Sequence, residues 1–182
     1  MIGRVLAVAL AAVVAAACTG DAPRSVTQLA EPADALDEDL MAALLQAKNL
    51  HHKANLYLLD GDTRAAIDAL RAILAIEFPP GADEAQDVLV DARSRLAKVL
   101  LGAGRADEAL RVVDEGIAAA ARESYFLANA YTVRGEILEH LATAQTDPAA
   151  RDALKRDAIA AYDRSIEINN AIRARLREEA RR

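Results

Sequence analysis

Residues 54–74 read ANLYLLDGDTRAAIDALRAIL. Within them Ala54, Tyr57, Gly61, Ala66, Leu70 and Leu74 mark a spacing that returns 43 residues later as Ala97, Leu100, Gly104, Ala109, Val113 and Ile117. A small residue, a larger apolar one, then Gly, Ala and two aliphatics describe a helix, a reversal and a second helix. The Gly permits the reversal, and the Ala lets the two helices approach closely. A fixed period of this length is the signature of a repeat architecture.

The flanking sequence extends this reading in both directions. Upstream, Leu36, Leu40, Leu44, Ala47, Leu50, Ala54 and Tyr57 recur at intervals of four and three, one apolar stripe along a helix that Asp34 or Asp37 can cap and that runs to about Leu59. Asp62 is placed to cap the next helix, whose inward face is Ala66, Ile67, Leu70, Ile73 and Leu74, with Pro79-Pro80-Gly81 expected to end it. Asp83 opens the second pair. Its stripe is Val88, Leu89, Ala92, Leu96, Val99 and Leu100, and the return helix over 106–121 turns Ala109, Leu110, Val113, Ile117 and Ala120 inward. Gly116 inside that helix costs roughly 1 kcal/mol against Ala, so close packing is expected there.

The third pair has Tyr131, Gly135 and Leu138 in its first helix and Ala158, Tyr162, Ser165, Ile166 and Asn170 in its second. About eleven extra residues, including Thr143 to Pro148, lengthen its helices and turn. They read either as neutral length variation or as a binding loop at one edge. Beyond Asn170 the chain stays helical in character but is mostly charged, as a capping helix that ends a stack would be. A basic binding tail fits less well, because acids are interspersed among the arginines.

Taken together, these units resemble the tetratricopeptide repeat. The resemblance implies an all-α fold, a short α-solenoid of about three helical hairpins with a C-terminal capping helix, over residues 34–182. It also implies a binding scaffold whose first helices line a groove. By that resemblance the groove residues are Lys48, His51 and Asn55 in the first hairpin, Asp91, Ser94, Arg95 and Lys98 in the second, and Asn129, Thr132 and Glu136 in the third. Such a groove would carry local positive charge at its first two hairpins. It loosely resembles a carboxylate clamp, and so implies a protein or peptide partner with an acidic or carboxylate-ended segment. His51 stands where the clamp has Lys, and Asn129 and Val133 replace other basic residues, so no clamp is assigned.

The N-terminus is a different object. Arg4 precedes an uninterrupted apolar run from Val5 to Ala17, shorter than the ~20 residues needed to span a membrane. Ala15-Ala16-Ala17 then lead into Cys18, the only cysteine. This pattern reads as a secretory signal over residues 1–17 with its cleavage site before Cys18. Small residues before a lone Cys resemble the bacterial lipobox, with Ala15 where Leu is usual. The resemblance implies that Cys18 is lipidated and becomes the new N-terminus, anchoring the chain in a membrane through several acyl chains. The alternative is an ordinary secretory signal with an incidental Cys. Thr19, where Asp would direct retention at the inner membrane, implies the outer membrane of a bacterial envelope, facing the periplasm. Residues 18–33, with Gly20, Pro23, Ser25, Thr27 and Pro32, read as a lipidated start and flexible tether.

Composition and motifs narrow the chemistry. Of 182 residues 53% are hydrophobic but only 3% aromatic, because Ala is abundant, which suits close-packed helices. A net charge of −6 gives no field for nucleic acid, and aromatic platforms that stack bases are missing. His51, His52 and His140 form no His-Glu-x-x-His pattern, and neither a phosphate-binding Gly-x-x-x-x-Gly-Lys loop nor a Gly-x-Ser-x-Gly nucleophile turn is present. No cofactor, metal or catalytic residue is therefore assigned. The sequence favours a lipid-anchored adaptor for protein–protein interaction. The alternative is a small-ligand carrier or enzyme using a pocket in the array, which would need convergent polar groups in an apolar cavity.

Overall fold

The computed structural model describes residues 32–182, which form six α-helices. In chain order these are α1 (Pro32–Leu59), α2 (Thr63–Leu74), α3 (Asp83–Gly102), α4 (Ala106–Ala119), α5 (Tyr125–Ala144) and α6 (Pro148–Glu179). They pack as three consecutive hairpins, α1–α2, α3–α4 and α5–α6, in an all-α, solenoid-like array. The expected signal segment, Cys18 and the expected tether up to residue 31 lie outside the described residues.

The repeated glycines make the first two reversals identical. Gly61 has φ 78° and Gly104 has φ 75°, the left-handed region where a Cβ is penalised. After α1, the Asp62 amide donates to Tyr57 O at 2.8 Å and the Gly61 amide to Leu58 O at 3.2 Å. After α3, the Arg105 amide donates to Leu100 O at 2.9 Å and the Gly104 amide to Leu101 O at 3.0 Å. Both are Schellman ends, in the same register of the repeat. Asp62 then caps α2, its Oδ1 accepting from the Ala65 amide at 2.9 Å. The third reversal contains no Gly. There Asp147 caps α6 by accepting from the Ala149 and Ala150 amides, and Pro148 begins the helix, where its missing N–H costs nothing.

The helix ends correct several expectations. α1 already starts at Pro32, so Asp34 and Asp37 lie inside it and not at its cap. α2 stops at Leu74, well before Pro79-Pro80-Gly81. The chain leaves the helix early because Ile76 and Phe78 tuck against the core instead of continuing round a solvated helix. α4 ends at Ala119, two residues short of Ala121. The extra residues of the third hairpin lengthen its helices, and of its two readings the binding loop falls away: only Gln145, Thr146 and Asp147 separate α5 from α6. The charged C-terminal segment is not a separate element but the continuation of α6, tied down by Ile168 and Ile172.

One apolar core runs along the stack. Ala54, Leu70, Ile73, Ala92, Leu96, Ala97, Leu100, Ala109, Val113, Val133 and Ile137 are all at most 2% exposed. The repeated Ala54, Ala66, Ala97 and Ala109 are all at most 1% exposed. Two glycines mark the closest approaches. A Cβ on Gly116 would lie 3.2 Å from the Cβ and Cδ of Arg93, and one on Gly135 would lie 2.6 Å from Cε1 and 2.7 Å from Cζ of Tyr162. Ser165 is buried on α6, whereas Ile166, which stands where the repeat has Leu74 and Ile117, is 57% exposed. Among the described residues no hairpin follows α6 to cover it.

Candidate functional site

The array has an inner side, and the first helices form it. α1 packs on α3 and α3 on α5, whereas α2, α4 and α6 do not pack backbone to backbone on one another, the long Arg71 side chain of α2 reaching Glu108 of α4 at 2.9 Å. First helices that converge while second helices splay curve the stack so that α1, α3 and α5 line its concave face. The turns of those helices place the candidate residues on that face at spacings of three and four.

On α1, Lys48 and Asn55 are exposed and His51 is half-buried. His51 Nε2 stands 3.7 Å from Asp91 Oδ2 on α3. Its Nδ1 is buried without a hydrogen-bond partner. Burial, and next the positive charge of Arg95, lower the His51 pKa below its ordinary 6.5, outweighing the opposite pull of Asp91. The imidazole is therefore neutral at neutral pH, and its contact with Asp91 is not an ion pair there. Arg95 supplies the countercharge, donating from Nε to Asp91 Oδ2 at 2.8 Å. Further along α3, Lys98 Nζ reaches Glu136 Oε2 of α5 at 3.2 Å.

These contacts redistribute the expected positive charge. Asp91 balances Arg95 and Glu136 balances Lys98, so Lys48 is the cation on this face with no ion pair among the described residues. Arg95 and Lys98 still present 48% and 56% of their side-chain surface to solvent and can exchange their internal partners for an external carboxylate. Surface pairs of this kind are worth only about 0.2–1 kcal/mol each, so the exchange is cheap. The Asp91–Arg95 pair was visible in the sequence as an i,i+4 spacing of opposite charges. The Lys98–Glu136 pair was not, because it joins two hairpins.

Two residues leave the candidate set. Ser94 is 1% exposed and donates from Oγ to Val90 O at 2.9 Å, so it is a packing residue inside the stack and not a groove residue. The hydroxyl of Thr132 is paired with Ser165 of α6 at 2.9 Å and is thereby turned into its own hairpin. Asn129 is exposed.

A second surface feature was not anticipated. At the connection between α4 and α5, a cleft of about 350 Å³ is lined by Tyr125 and Phe126, by Ile172 and Leu176 of α6, and by Arg122 and Arg175. Arg122 is held there by Asp87. The adjacent aromatics Tyr125 and Phe126, in a chain with so few, were the available signal. Among the described residues no cluster of His, Cys, Asp and Glu could hold a metal ion, and no helix is long and apolar enough to cross a membrane. Compared with known protein families, curated proteins and solved structures, the chain matches none.

Proposed function

We propose that this chain is an adaptor of the tetratricopeptide type, a lipid-anchored scaffold that holds another protein of a bacterial envelope in its concave face. The observation that carries the reading is the convergence of α1, α3 and α5, which gathers Lys48, His51, Asn55, Arg95 and Lys98 on one inner surface. A free lysine beside two half-exposed cations favours a segment with carboxylates or a chain terminus. The repeated Schellman turns support the tetratricopeptide assignment, since they put the sequence repeat and the structural repeat in one register. The anchor rests on the lipobox-like run ending at Cys18 and on Thr19, which favours the outer membrane.

Copurification from detergent-solubilised cells tests the reading. Lys48→Glu with Arg95→Gln should abolish capture of the partner, while the melting temperature stays within a few degrees of wild type, as expected for exposed charges. Metabolic labelling with a fatty-acid analogue should mark the wild type and not Cys18→Ser. Undiminished copurification would move the partner to another surface. Equal labelling of both chains would remove the anchor.

A further inference from the structure

Both ends of the array leave exposed what its internal joints bury. On α6, Ile159 and Ile166 are 60% and 57% exposed. Counting from the repeated Ala66, Ala109 and Ala158, their counterparts are Ile67 and Leu74 on α2 and Leu110 and Ile117 on α4, all of them packed into the main core. The hairpin that follows packs on α2 and on α4, and among the described residues none follows α6. At the other end, Leu56 of α1 is 60% exposed. Its counterparts, Val99 on α3 and Ile137 on α5, lie in the core, Ile137 with no exposure at all.

The charges at the two ends match as well. Where α4 meets α5, Arg134 Nε pairs with Asp114 Oδ1 at 2.8 Å. The same register positions at the free ends are Asp163 on α6 and Lys53 on α1. Both are exposed, and neither is ion-paired among the described residues. Lys53 Nζ instead rests 5.8 Å from the ring of Tyr57. The joint between α2 and α3 has Arg71 and Leu96 at these positions and does without such a pair.

We propose that a second copy of this chain docks head to tail, its α1 on the α6 of the first, repeating the α4–α5 joint. Asp163 then faces Lys53. One turn away along the antiparallel helices, Ile159 covers Leu56. The contact is heterologous, so each copy keeps one free end and copies add without closing. The stack extends the concave face from one copy to the next.

Cross-linking of the full chain with a short bis-maleimide tests this, the unsubstituted chain, whose single cysteine is Cys18, setting the background. A chain carrying both Leu56→Cys and Ile159→Cys should give a ladder of dimers, trimers and higher species. Either substitution alone should stay at background, and a mixture of the two single variants should stop at dimers. Adding Asp163→Lys to the double-cysteine chain should lower the yield roughly fivefold, and adding Lys53→Asp as well should restore it. Background-level products from the double variant, cross-links between like positions, or a yield indifferent to the charge swap would each overturn the proposal.

Discussion

Gly135 is where a single atom matters most. Its missing Cβ is the space that the ring of Tyr162 occupies, at distances no real Cβ contact allows. Overpacking of this kind costs about 1–3 kcal/mol, while Ala gains about 1 kcal/mol over Gly in a helix interior. Gly135→Ala should therefore lower stability in the native background and raise it in a Tyr162→Ala background, a sign change that chemical denaturation of both pairs would record. Gly116 provides the contrast. Its nearest neighbours are Cδ and Cβ of Arg93, both at 3.2 Å; Cδ can swing away, and Cβ, fixed to the backbone, has to give by only a few tenths of an ångström. Gly116→Ala should be close to neutral. The sequence marked both glycines as packing positions, but only the third dimension distinguishes a stiff ring from a pliant arginine.

Between helices, the thinnest contact is that of α1 with α3, and His51 sits in it. Because burial lowers its pKa in the folded state, the unfolded chain binds this proton more tightly. The contribution is intact above pH 6.5, the unfolded value, and is lost as the pH falls from there toward the lower folded-state pKa, below which the loss levels off. Thermal melts from pH 7.5 to 5 should show a decline that His51→Gln flattens. An equal decline in both chains would assign it to the carboxylates. Helix existence was legible throughout, because apolar stripes with a period near 3.6 name their own faces. Helix ends were legible only where a local device sets them, as Gly61, Asp62 and Gly104 do. α2 stops where tertiary packing of Ile76 and Phe78 wins, and no local signal records that. In the lengthened third hairpin the extra residues around Thr143 to Pro148 left a binding loop open as an alternative, but Asp147 and Pro148 start a helix at once.

For the molecule as a whole, the period announced the stack, and the stack decided which residues share a face. Lys48, Asn55, Arg95 and Lys98 were placed together from the repeat alone. What the sequence could not show was that Glu136 quenches Lys98, or that Ser94 lies under its neighbours. Both facts depend on contacts between hairpins. Contacts between hairpins join only consecutive hairpins, and the most extensive packing lies within one, between α5 and α6. Consider this as a matter of time. A ribosome releases α1 first and the α5–α6 hairpin last, so the best-consolidated unit is also the latest made. In an array whose stability is a sum over adjacent joints, opening proceeds from the weaker end. Amide hydrogen exchange should find α1 least protected and α5–α6 most protected; uniform protection would contradict this order. Each nascent copy then spends its early life with its first hairpin formed but loosely held, waiting for the final helix to complete the stack.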